Sequence, residues 1–184
     1  MLFLSYKMKN IIYIICTLIL FSFFNSKISA SSLDDIKNRG YLICGVSEDF
    51  VGFSTLTDNG EWVGFDVDLC RAVAVAVFGD TTKVSFLPVT SRSRFPLLAY
   101  GEIDLLARNT TWSYSRDVNL EFEYAGINFY DGQAFMVQKE LDIKSIYELD
   151  GAKICLVSGS SIELNTKFFF EENSLKYKPI LLES

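Results

Sequence analysis

Arginines, hydroxyls and an amide crowd into the segment Asp104-Leu-Leu-Ala-Arg-Asn-Thr-Thr-Trp-Ser-Tyr-Ser-Arg116. A short buried strand runs into Arg108, Asn109, Thr110 and Thr111, and then into a helix start that carries Arg116. This order gathers backbone N–H donors, hydroxyls and a guanidinium fork around one point at a strand end, an arrangement suited to a carboxylate. The competing reading is a plain capped helix, with Thr111 as N-cap and Arg116 as a solvated charge. An unpaired buried arginine is costly, which argues against Arg108 and Arg116 both being simple core residues. Arg108 could instead pair with an acid. Histidine is absent from the chain. Ser-His and Cys-His catalysis and the commonest zinc ligand are therefore ruled out, and no cofactor or metal is implied.

The elements that must hold this segment alternate between strand and helix. Ser32–Gly40 begins with a cap and acids and ends with Arg and Gly, which predicts a short helix. Tyr41–Val46 is a first strand, and Asp58-Asn-Gly60 a turn inside a longer loop. Asp66–Phe78 alternates like a strand at Ala72–Val77, yet its length, a capping Asp66 and Gly79 favour a helix. Leu69, Val73 and Val77 would then face the sheet, beside Cys70 and Ala76. Lys83–Pro88 is a second strand, Ser91–Tyr100 a helix capped by Ser91 despite Pro96, and Ile103–Ala107 a third strand. Helices between strands imply a parallel, covered sheet, whose ligands lie beyond the carboxyl ends of the strands. Ser47–Phe53, Thr90–Arg94 and Arg108–Arg116 lie there. Leu120–Val137 is an extended crossover. Ser145–Leu149 reads as a short helix, Lys153–Val157 as a strand and Ser158–Ser161 as a tight polar turn. A helix over Ser161–Glu172 and a strand over Tyr177–Leu182 complete the chain. Nothing after that strand pairs with it, so a second lobe is expected to be incomplete.

Residues 1–30 form an export signal rather than part of the fold. Lys7 and Lys9 precede a 14-residue apolar run, Ile11 to Phe24, shorter than the ~20 residues of a membrane span. Cleavage is expected near Ala30, with Met8 as an alternative start. Cys16 lacks the setting of a lipid-anchored cysteine. Removing the leader's three lysines leaves 14 basic against 23 acidic residues, a net charge of −9. Such a surface has little to offer nucleic acid. Cys44 and Cys70 share a lobe and could pair after export. Three small buried apolar cysteines, with Cys155, is the equal alternative.

Taken in order, the motifs resemble a known family. Leu42-Ile-Cys-Gly-Val-Ser47, Gly64-Phe-Asp-Val-Asp-Leu-Cys-Arg-Ala-Val-Ala74, Val77-Phe-Gly-Asp80, Arg108-Asn-Thr-Thr-Trp112, Ser115-Arg-Asp117 and Tyr130-Asp-Gly132 are similar to the bacterial family 3 solute-binding proteins. Within that family they resemble most the general L-amino-acid subgroup of polar amino-acid ABC importers. The resemblance implies a type II periplasmic-binding-protein-like α/β fold with two lobes and an amino acid trapped between them. Residues 31–126 would be the first lobe, and residues 127–184 the crossover and an incomplete second lobe. The resemblance gives Arg116 the ligand's α-carboxylate, and Thr111 and Asn109 the carboxylate and ammonium surroundings. Phe50 matches an aromatic wall, and Ser91 and Arg94 match positions facing a polar or acidic side chain. Ser160 and Ser161 replace a Thr-Thr pair that closes from the second lobe. From the residues alone, Phe50 and Phe53 could equally anchor their loop, and Arg94 could equally be structural.

The implied function is the periplasmic substrate-binding component of an ABC importer. It would capture a free L-amino acid (polar, acidic or broadly chosen) and deliver it to permease subunits in the inner membrane. The family's second lobe continues well beyond this length and supplies an acid for the ammonium. A non-functional remnant of a shortened or split reading frame is therefore the alternative. An enzyme of the dehydratase type on the same fold is a third reading, with Glu48, Asp49 and Glu163 as the nearby acids.

Overall fold

The computed structural model describes residues 33–120 and 122–183; the expected leader lies outside the described residues. Helix α1 (Leu33–Arg39) has Asp34 and Asp35 in its first turn and Lys37 and Arg39 in its last, each complementing the helix dipole. Strand β1 (Leu42–Val46) follows and forms the centre of a three-stranded parallel sheet. On one side it pairs with β5 (Val84–Pro88), and on the other with β6 (Leu105–Leu106). The fully buried Asp104 side chain pairs with Arg39 and accepts the Ile43 N–H at 2.7 Å. The start of β1 is thereby fixed to the start of β6.

Between β1 and α2 (Phe65–Phe78) lie three short antiparallel strands: β2 (Asp49–Phe50), β3 (Ser54–Leu56) and β4 (Trp62–Val63). The Asp58–Gly60 turn is where the sequence puts it. The strands around it are too short for alternation to reveal. Helix α2 starts at Phe65 after Gly64, so Asp66 is a buried first-turn residue and not the cap. Gly64 has φ +127, and a Cβ there would lie 2.3 Å from the Phe53 carbonyl oxygen. No larger residue fits. The buried stripe of α2 is Asp66, Val67, Cys70 and Ala74. Leu69 and Ala76 are exposed, so the face is rotated by about one position from the expected one. Gly79 closes the helix in the left-handed conformation.

Cys44 and Cys70 form a disulfide joining β1 to α2, and both are fully buried. Cys155 is exposed, contrary to the alternative of three buried cysteines. Around this bond Val46 and Ala107 complete the first core, packed by Trp62, Val84, Phe86 and Leu105.

Helix α3 (Arg94–Ala99) starts three residues later than Ser91, because residues 91–93 form a turn in which Ser93 Oγ accepts the Thr90 N–H. The cap role does not fall to Ser91. Helix α4 (Tyr114–Asn119) is capped by Ser113, whose hydroxyl accepts the Arg116 N–H, and not by Thr111. Residues 122–138 have no regular structure. After two 3₁₀ turns, β7 (Ala152–Val157), α5 (Ser161–Glu172) and β8 (Tyr177–Leu182) form a βαβ unit whose strands pair in parallel. Leu149, Ile154, Leu156 and Phe170 make its core. Among the described residues no helix is long and apolar enough to cross a membrane.

Candidate functional site

The parallel pairing carries β1, β5 and β6 to the same edge of the sheet, and the residues just past their carboxyl ends meet there. Arg108, two residues beyond β6, donates from Nε to the Val89 carbonyl at 3.0 Å and from Nη1 to Ser91 Oγ at 3.1 Å. Ser47, at the end of β1, donates to Asn109 Oδ1 at 3.3 Å. Arg94, in the first turn of α3, donates to Thr110 Oγ1 at 3.1 Å. Arg116 donates from Nη1 to the Thr111 carbonyl at 2.8 Å. Ser91, Arg94, Arg108, Asn109, Thr111 and Arg116 therefore share one strand-end cluster.

Phe95 binds the cluster from one side. The guanidiniums of Arg94 and Arg116 lie 4.9 and 5.2 Å from its ring centre, at cation–π range. Tyr124 approaches from the crossover, and its buried hydroxyl has no hydrogen-bond partner. Burial pushes its phenol up, against the pull of Arg116 and Arg94. Phe95 and Tyr124 escape sequence reasoning. Phe95 could have been suspected from its place beside Arg94, whereas nothing local marks Tyr124.

The electrostatics are those of three neighbouring guanidiniums drawn out of water. Arg94 is only 2 % exposed, and its Nε has no partner. Burial, then Arg116 and Arg108, lower its pKa to about 9. Burial likewise lowers Arg108 and Arg116, offset at Arg108 by Asp66 and at Arg116 by Tyr124. Among the described residues no carboxylate forms an ion pair with Arg94 or Arg116. A ligand carboxylate would supply the missing charge. Asp66 is 3 % exposed, and burial raises its carboxyl to about 6, with Arg108 and an Asn128 hydrogen bond pulling the other way.

The remaining expected residues stand apart. Phe50 is part-exposed on β2 and stacks on Phe53 at 4.9 Å. Phe53 in turn meets Phe129 of the crossover edge-on at 5.0 Å. Ser160 caps α5, accepting the Glu163 N–H at 3.2 Å, and Ser161 is the first residue of that helix. Across the gap between α4 and α5, a cavity of about 560 Å³ is lined by Arg116, Ser160, Glu163, Lys167 and Tyr177, among others. Arg116 thus faces both the strand-end cluster and the second βαβ unit. Among the described residues no cluster of three His, Cys, Asp or Glu could hold a metal.

A parallel α/β lobe with guanidiniums at its strand ends, linked by a crossover to a second βαβ unit, defines part of a two-lobed binding protein of the type II periplasmic class. The chain belongs to the bacterial extracellular solute-binding proteins, family 3, whose pattern matches residues 42–178. It is 48% identical over 159 residues to the general L-amino acid-binding periplasmic protein AapJ of Rhizobium johnstonii, covering 86% of this chain and 47% of that one. It is 49% identical over 152 residues to the glutamate/glutamine/aspartate/asparagine-binding protein BztA of Rhodobacter capsulatus, covering 83% and 45%. Among solved structures, a periplasmic binding protein from Brucella ovis with glutathione bound superposes with a TM-score of 0.77. It shares 49% identity, over 83% of this chain and 48% of that one. The chain spans about half the length of these relatives.

Proposed function

We propose that this chain is the amino-acid-capturing component of a periplasmic ABC import system, holding its ligand by the carboxylate. The observation that carries the reading is the arginine cluster, with the buried Arg94 lacking a carboxylate partner among the described residues and two more guanidiniums beside it. Arg116 takes the α-carboxylate through a bidentate fork. Asn109 and Thr111 line the same end. Ser91, Arg94 and Arg108 favour a polar or acidic side chain, in keeping with the name of the glutamate/glutamine/aspartate/asparagine-binding relative, whereas the other relative is named for L-amino acids in general. Ser160 and Ser161 close from the second lobe, and Phe50 walls the entrance. The chain acts by binding rather than by catalysis, reaches the periplasm through the leader at residues 1–30, and hands its ligand to permease subunits.

Calorimetric titration of the mature protein with the twenty L-amino acids tests this. Saturable heat with polar or acidic ligands, lost in R116A, is expected. No heat from any amino acid, or heat that R116A leaves unchanged, overturns the reading.

A further inference from the structure

Arg92 sits in the turn between β5 and α3 and stands outside the arginine cluster. Only Ser93 separates it from Arg94, yet the two side chains serve opposite directions: Arg94 is buried in the first lobe, while Arg92 reaches the second. Its Nε and Nη2 donate to Ser158 Oγ at 3.2 and 2.6 Å, and its Nη1 pairs with Glu183 Oε1 at 2.7 Å. Ser158 is buried at the end of β7. Beside it, Gly159 packs its backbone on the arginine stem, where a Cβ would stand 3.1 Å from Arg92 Cγ. One side chain thus spends all three guanidinium nitrogens and its stem on the far lobe.

We propose that Arg92 is a positioning residue that latches the turn at Ser158–Ser161 onto the first lobe, holding the Ser160 and Ser161 hydroxyls across the cleft from Arg116. The two arms of the latch are unequal. Arg92 and Glu183 are both well exposed in their pair, so that arm is screened by solvent and contributes little. The Ser158 arm carries the effect, because a charged donor meets a buried hydroxyl through two nitrogens. Lysine cannot reproduce it, having one nitrogen and no planar fork. The consequence for amino-acid capture rests on the proposed function, but the latch itself does not.

The test measures the distance between the lobes in the ligand-free mature protein by pulsed electron resonance. Spin labels go on the native Cys155 of the second lobe and on Y100C of the first. Tyr100 and Cys155 are both exposed. In R92A the distribution lengthens and broadens, and the closed-to-open ratio falls about tenfold, as expected for one charge-assisted bond. R92K and S158A show the same change, and R92A with S158A shows no further loss. Should R92A fail to fold, R92K and S158A decide the matter. Distances unchanged in R92K and S158A overturn the latch. Titration with amino acids separates the two ideas: absent heat in the unmutated protein defeats the proposed function while leaving the distance result standing.

Discussion

Burying a guanidinium without a carboxylate costs several kcal/mol, and Arg94 is buried in this way with Arg108 and Arg116 adding repulsion. Within the fold only the Thr110 hydroxyl and the Phe95 ring offset that cost, and under the proposed function a ligand carboxylate would offset the rest. R94M keeps the length and removes the charge. It is expected to stabilise the ligand-free protein by about 1 kcal/mol or more and to weaken carboxylate binding about tenfold. Thermal unfolding paired with calorimetry reads both; a destabilised R94M would mean that the fold itself uses the charge. Asp66 gives a second test at this scale. Its carboxyl titrates near 6 in the folded chain against an ordinary 3.8. Between those values the folded state holds a proton that the unfolded chain has released. Stability therefore falls as pH rises through this window and levels off above it. D66N should flatten that part of the profile of melting temperature against pH, and an unchanged slope would assign it to another group.

Elements follow from local chemistry to different degrees. The sheet of β1, β5 and β6 and the helices α2 and α5 are legible from the sequence, because apolar residues recur along each and turn or capping residues lie between them. Strands β2, β3 and β4 are not, since two or three residues give no period to read. The α2 face is misplaced because Ala and Val fill nearly every position from 72 to 77, so hydrophobicity alone cannot fix the helix's rotation. The Cys44–Cys70 disulfide fixes it instead. The gathering of the segment from Arg108 to Arg116 at the strand ends is legible because its chemistry is local. Phe95 and Tyr124 join it only through tertiary packing. Opening the disulfide frees a loop of 26 residues, for which loop entropy gives a loss of about 3.5 kcal/mol. Denaturant titration of the C44S/C70S double variant checks this, and a midpoint unchanged from the unmutated protein would contradict it. G64A should cost more than an ordinary Gly-to-Ala change, because the added methyl meets a backbone carbonyl and not a movable side chain.

At the scale of the molecule the described residues form two separate apolar cores, one around Cys44, Val46, Cys70 and Ala107 and the other around Leu149, Ile154, Leu156 and Phe170. Residues 122–138 join them without a regular hydrogen-bonded element. Among the described residues, the crossover's Phe129 packs on Phe53 and Phe65 and its Asn128 meets Asp66, while Arg92 reaches Ser158 and Glu183 of the second half. Cores built separately in this way should open independently. Phe170 is 1 % exposed and packs against Phe135, Phe169 and Tyr177. F170A should remove about 3–5 kcal/mol from the second core. Hydrogen exchange of the native protein would then show β7 and α5 amides losing protection while β1 and α2 amides keep theirs. Equal losses in both halves would show instead that the contacts between them couple them into one cooperative unit. The cleft would then not be free to open between two stable jaws, and ligand entry would require partial unfolding.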